Sequence, residues 1–132
     1  MHAFLVDLDN KPGTLARLTE AIAAKGVNIN SMSGATCGSS GRAAIITSDD
    51  AATRTALGDI KATYKEMEVT ETTLRHEPGT LAKATRRLAD AGVNIEALIP
   101  VGMEGSDIRV AFVTSDPAKA RETLSHVGTV SR

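Results

Sequence analysis

Apolar and polar positions along this chain switch between two periods. Ala3-Phe4-Leu5-Val6 is an unbroken apolar run of the kind a buried strand carries. Beyond Asn10-Lys11-Pro12-Gly13, the residues Leu15, Leu18 and Ile22 recur at spacings of three and four, the stripe of an amphipathic helix. Pro12, with its fixed φ, suits that helix's first turn. Lys25-Gly26 supplies a stop, because glycine takes the left-handed conformation after a helix at little cost. Residues 27–30 then open a second strand, and the glycine- and serine-rich stretch 33–41 predicts a long hairpin tip. Residues 43–47 predict a third strand, 49–57 a second helix capped by Ser48 or Asp49, and 62–69 a closing strand. The order is βαββαβ.

The pattern then repeats. Residues 10–29 and 76–95 share eleven of twenty positions at an offset of 66, among them Pro12/Pro78, Gly13/Gly79, Leu15/Leu81, Gly26/Gly92 and Asn28/Asn94. Ile46-Thr47-Ser48-Asp49 matches Val113-Thr114-Ser115-Asp116 at an offset of 67. Self-similarity at one fixed period marks a duplicated unit, so the chain divides into residues 1–68 and 69–132. In the second copy residues 69–74 form a more polar first strand, and a short last strand falls around 127–130. Pro100 interrupts that copy's second strand and places it at a sheet edge or bulge, where a missing N–H is tolerated. With no linker between the copies, two closely coupled units are expected. One alone, at about 66 residues, would bury only roughly 60 % of its unfolded surface.

Composition narrows the function. The chain has 132 residues, 15 Lys+Arg against 16 Asp+Glu, and a net charge of −1, so no overall field attracts nucleic acid or an anionic membrane. The aromatic supply is Phe4, Tyr64 and Phe112, too little for a base-stacking platform. The single cysteine, Cys37, excludes an intramolecular disulfide and a multi-cysteine zinc site. A charge appears at Asp7 and no apolar run approaches the ~20 residues of a membrane span, which reads as a cytoplasmic protein. His2, His76 and His126 lack metal-ligand spacing, no phosphate-loop or nucleophile motif occurs, and no cofactor or catalytic residue is expected.

The repeated Pro-Gly-Thr-Leu junction carries the candidate chemistry. A helix N-terminus offers N–H groups without intrahelical partners and the positive end of the dipole, which together accept a carboxylate. The amides of Gly13, Thr14 and Leu15, and of Gly79, Thr80 and Leu81, are the candidates. Asn10 and His76 stand two residues before Pro12 and Pro78. Asn28 and Asn94, just after each helix, are expected to return to the same end of the sheet. There an amide can accept from a ligand ammonium and donate to its carboxylate. Two or three charge-assisted bonds at roughly 1.5–3 kcal/mol each give about 4–8 kcal/mol, spanning millimolar to micromolar affinity.

Twice over, Asn10-Lys11-Pro12-Gly13 with Leu15 and Gly26-Val27-Asn28-Ile29, then His76-Glu77-Pro78-Gly79 with Leu81 and Gly92-Val93-Asn94-Ile95, resemble the ACT domain, a small module that binds amino acids in many biosynthetic enzymes. The resemblance implies an α+β chain of two ferredoxin-like βαββαβ units in tandem, each an antiparallel sheet of order 4-1-3-2 with helices on one face. It further implies paired units, with an effector held near the strand-one/helix-one loop. In serine-responsive members one asparagine before Pro-Gly and another in the Gly-Val-Asn-Ile segment touch the effector. Asn10, Asn28 and Asn94 match those positions, while His76 replaces the first asparagine in copy two and Leu8 stands where those members carry histidine.

The expected function is therefore a non-catalytic, allosteric regulatory protein that binds an amino acid or similar metabolite, works as a homodimer, and acts on a metabolic enzyme. The competing reading is a ligand-free interaction module or regulatory subunit of an amino-acid biosynthetic enzyme, acting by contact alone. RNA binding, which this topology also serves, needs exposed aromatics on the central strands, and only Phe112 lies on a third strand.

Overall fold

In the structure, a computed structural model in which residues 1–125 are described, the chain falls into two compact units, Met1–Met67 and Glu68–Arg132. The first unit runs β1 (His2–Asp9), α1 (Thr14–Ala23), β2 (Ile29–Cys37), β3 (Ser40–Thr47) and α2 (Asp50–Asp59) into the start of β4 (Tyr64–Arg75). The second uses the rest of β4, then α3 (Thr80–Asp90), β5 (Ile95–Glu104), β6 (Asp107–Thr114) and α4 (Pro117–Leu124). One uninterrupted strand thus carries the chain from unit to unit, where the sequence suggested two strands meeting at Val69.

In the first unit the strand order is β4-β1-β3-β2, with β3 antiparallel to both β1 and β2. Side chains alternate across a strand, so Phe4 and Val6 of β1 share a face with Ala43 and Ile45 of β3. That face packs against Leu18 and Ile22 of α1 and Ala56 and Leu57 of α2, one core with both helices on one side of the sheet. The second unit repeats this core with Leu74, Val110 and Phe112 against Ala84, Leu88, Ala120 and Leu124. Its described strand order is β4-β6-β5, and the short last strand expected near 127–130 lies outside the described residues.

Local chemistry explains the boundaries. Asp49 caps α2, accepting from the Ala52 N–H at 3.0 Å, and Asp116 caps α4 through Lys119 N–H at the same distance. At α1 the cap is Gly13, left-handed at φ 92°, with no side chain capping the helix. Pro12 therefore precedes the cap instead of sitting in the first turn, because the chain first closes a turn from Thr14 N–H to the Lys11 carbonyl at 3.4 Å. The expected long tip at 33–41 is also different. β2 continues to Cys37 and β3 starts at Ser40, leaving only Gly38 and Ser39 as the turn, with Gly38 at φ 64°. Pro100 stands on the edge strand β5 beside a register shift between Pro100 and Gly102.

Candidate functional site

β1, α1 and the β2–β3 hairpin meet at one corner of the first unit, and an open cleft of about 790 Å³ lies there. Its walls are residues 6–9 of β1, Thr14, Arg17 and Leu18 of α1, residues 35–37 of β2, residues 40–42 of β3, and the loop at 60–63. The hairpin forms one wall because its tip is tied down. Asn10 donates from Nδ2 to the Gly38 carbonyl at 2.8 Å, and its backbone N–H reaches the Ser39 carbonyl at 3.0 Å. Gly41 allows β2 to approach closely. A Cβ there would lie 2.5 Å from the Ala35 carbonyl oxygen and 2.9 Å from Thr36 Cα, so no side chain fits without moving β2.

The cleft carries charges of both signs. Arg42 Nε donates to Asp7 Oδ1 at 3.0 Å, pairing two of them across the β1–β3 ladder. Arg17 reaches the Ile60 carbonyl at 3.3 Å and so braces α1 against the loop that follows α2. Lys61 projects from that loop with its backbone at φ 54°, and Asp9 lies across the lining at the end of β1. Thr14 Oγ1 is buried with no hydrogen-bond partner among the described residues. A buried hydroxyl without a partner carries a desolvation cost. The arrangement therefore offers a cation and a hydroxyl at the start of α1, while Asp7 and Asp9 alternate onto the other face of β1.

Of the residues singled out in the first copy, only Thr14 lines this cleft, while Asn10 anchors its hairpin wall. Pro12 and Gly13 shape the corner from outside, and Leu15 points outward with 48 % of its surface exposed. Asn28 is not brought to Asn10. Asp9 pairs with Ser40 while Ile29 pairs with Thr47, seven residues along β3 and about 23 Å away at roughly 3.3 Å per strand residue. The cause is simple: α1 runs back along the sheet, so the residue that follows it stands beside the start of β1. Asn28 spends its groups locally, its N–H on Ser48 Oγ at 3.0 Å and its Nδ2 on Asn30 Oδ1 at 2.8 Å. Asn94 in the second unit behaves alike, bonding Ser115 Oγ and Glu96 Oε2 far from His76. His76 is exposed, Gly79 is left-handed at φ 90°, the Thr80 N–H closes a turn on Glu77, and Leu81 is 43 % exposed. Asp9, Arg17, Arg42 and Lys61 were not legible as a set, since they come from four separate segments that only the tertiary register brings together. Cys37 is a free, exposed thiol ending β2 at the cleft wall.

One more cluster lies outside the cleft. His2 Nδ1, Asp50 and Glu66 present ligand atoms within 4.8 Å of one another. Both Glu66 oxygens already accept from Arg54, at 2.6 and 3.1 Å, and His2 Nδ1 lies 2.6 Å from Oε2. The Arg54 bond, with help from His2, holds the Glu66 carboxyl down at about 2 against the burial that opposes it. With the guanidinium bound there, the cluster is an ion-pair network joining β1, α2 and β4.

The first unit is thus a βαββαβ sheet with both helices on one face and a cleft at its β1–α1 corner. Residues 2–63 match the family model described as the ACT domain. Along nearly its whole length the chain is similar to a protein from Bacteroides thetaiotaomicron, at 26 % identity and a TM-score of 0.78, covering 98 % of this chain and 90 % of that one. It is also similar in fold to the ligand-free regulatory subunit of aspartate kinase from Thermus thermophilus, with 18 % identity, a TM-score of 0.66, and coverage of 96 % and 91 %. The corresponding subunit from Thermus flavus gives 18 % identity, a TM-score of 0.64, and coverage of 94 % and 90 %. No curated protein matches the chain by sequence. Among the described residues no helix is long and apolar enough to cross a membrane.

Proposed function

We propose that the chain is a non-catalytic regulatory protein that binds an amino acid in the cleft at the β1–α1 corner of its first unit, and transmits that binding to a metabolic enzyme. The observation that carries the reading is the open cleft at the β1–α1 corner, with Arg17 and Thr14 in its lining. An α-amino acid is the small metabolite with an anionic and a cationic end a few ångströms apart. The ACT-domain match over residues 2–63 supports the ligand class. The fold shared with proteins whose names describe regulatory subunits of aspartate kinase supports a regulatory role.

The working form is a homodimer joined through β2. This edge strand, Ile-Asn-Ser-Met-Ser-Gly-Ala-Thr-Cys, has no charge and no proline, the devices that usually keep an edge from pairing with another chain. The other edge, β5, carries Pro100, two register shifts, Glu96 and Glu104. Antiparallel pairing of two β2 strands about Ser33 sets Ile29 of one copy beside Cys37 of the other. Asn28 of the second copy then arrives at the cleft wall, the place its own unit denies it.

Thermal melting of the purified chain with each proteinogenic amino acid tests the reading. At a hundredfold excess over Kd, binding to the folded state alone adds about 2.7 kcal/mol, which raises Tm by several degrees for a chain of this size. Light scattering on the same samples reads the mass. A flat response to every amino acid contradicts the ligand class, and a monomer mass with ligand bound contradicts the β2 pairing.

A further inference from the structure

One flank of α1 is apolar and open. Leu18 and Ile22 face the sheet, and Arg17 reaches the Ile60 carbonyl beyond α2 at 3.3 Å. At about 100° per residue, Thr19 stands about 200° round the helix from Arg17, on the flank turned away from α2. Leu15 and Ala23, one turn to either side, share that flank; Ala23 is exposed and Leu15 keeps 48 % of its surface open. Thr19 Oγ1 bonds the Leu15 and Ala16 carbonyls of its own helix, each at 3.1 Å, which leaves its methyl group for a neighbour.

That flank overhangs β2. Arg54 bonds Glu66 and so seats α2 over β4, one edge of the first unit's sheet. α1 takes the other side, its core residues packed with Ile29 and Met32 of β2. It starts beside Asp9, at the Cys37 end of β2, and ends beside Ile29, so its midpoint near Thr19 stands level with Ser33.

The β2 pairing proposed above needs more surface than its strands provide. Nine residues at roughly 3.3 Å each, in a sheet about 10 Å deep, cover on the order of 300 Å² per copy, against about 800 Å² in a stable interface. A strand spacing of about 4.8 Å puts a helix lying over β2 and β3 about 5 Å from the twofold, hence about 10 Å from its own copy, which is the spacing of packed helices.

Resting on that β2 homodimer, we infer that the α1 flank is its second seam, with antiparallel α1 helices of two copies packed about a twofold at Thr19. Leu15 of each copy then sits opposite Ala23 of the other, a large side chain over a small one, and the two Thr19 methyls meet at the centre. The seam covers the exposed leucine and adds the area that the strands lack. The second unit carries the same flank on α3, at Leu81, Thr85 and Ala89, but over β5, whose Pro100 and register shifts oppose pairing. The α3 flank stays open in the dimer.

Sedimentation velocity on the full chain tests this, with circular dichroism to check the fold of each variant. Thr19→Arg sets two guanidinium groups across the twofold and is expected to weaken the dimer by about tenfold or more. Thr85→Arg is expected to leave it within about twofold. In a Cys37→Ser background, Thr19→Cys is expected to link chain to chain under a mild thiol oxidant, and Thr85→Cys to remain unlinked. A wild-type monomer overturns the β2 homodimer and this seam with it. A wild-type dimer that Thr19→Arg leaves intact, with no link through Thr19→Cys, overturns the seam while leaving the β2 homodimer standing. A loss confined to Thr85→Arg overturns the assignment to the first unit.

Discussion

The side-chain amide of Asn10 donates to the backbone carbonyl of Gly38 at 2.8 Å, across 28 residues of sequence. Through that bond the β1–α1 loop holds the tip of the β2–β3 hairpin, and the cleft keeps its far wall. The residue that the sequence marked as a ligand contact is thus first a strut.

Asn10→Ala removes an exposed hydrogen bond whose net value is about 0.5–1.5 kcal/mol. Urea unfolding should show a loss toward the low end of that range, because water replaces the amide at the surface. Amino-acid affinity should fall as well, since the hairpin wall is freed. Unchanged affinity would show that the hairpin holds its place without the strut.

The Glu66 network gives the fold a defined acid limit. Its carboxyl is held at about 2 in the folded chain, against an ordinary value near 4.5. A depressed folded value means the stabilisation is fully present above the unfolded value and is lost as pH falls from about 4.5 toward 2. Glu66→Gln should cost roughly 1–2 kcal/mol near neutral pH, allowing for the partial solvent screening of the pair. The difference from wild type should shrink through that acid window. A difference that stays constant from neutral pH down to pH ~2.5 would contradict the assignment.

Thr53 and Thr114 predict opposite signs. Thr53 Oγ1 bonds Thr47 Oγ1 at 2.7 Å and the Asp49 carbonyl at 2.7 Å. Thr114 occupies the place of Thr47 in the second copy. There Ala120 replaces Thr53, and the Thr114 hydroxyl is buried with no partner among the described residues. Replacing a buried unsatisfied hydroxyl by a methyl removes a desolvation cost, so Thr114→Val should raise stability by about 1 kcal/mol. Thr53→Val should lower it by a similar amount or more. Differential scanning calorimetry of the two variants reads both, and a loss in Thr114→Val refutes the account of that site.

Gly13 is left-handed at φ 92°, and a Cβ there would meet nothing within 4 Å. The cost of Gly13→Ala is then conformational alone, about 1–2 kcal/mol. Gly58, inside α2 with equally open surroundings, is the control. Gly58→Ala should stabilise by about 0.5–1 kcal/mol, because helical backbone suits alanine. Equal effects of the two substitutions in thermal melts would contradict this reading of the corner.

Much of the fold was legible because local signals agreed with the tertiary outcome. The repeat, the Leu15–Leu18–Ile22 spacing, the Asp49 cap and the edge position of Pro100 each follow from short-range chemistry. Residues 33–41 misled because glycine and serine mark turns by composition, whereas here they continue an edge strand whose partner, β3, supplies the order. Asn28 lies far from Asn10 for a reason the topology itself supplies. A strand–helix–strand path already requires that the helix end return to the start of the first strand. The charged lining was out of reach, since Asp9, Arg17, Arg42 and Lys61 lie on separate segments and share no spacing.

The central claim is that an amino acid enters the first unit's cleft, and backbone amide NMR tests it most directly. Titration with the amino acid that most raises Tm should shift the amides of Thr14, Arg17, Thr36, Arg42 and Lys61, leaving those of Thr80, Lys83 and Ile108 unmoved. Shifts at the second set with none at the first would contradict the account.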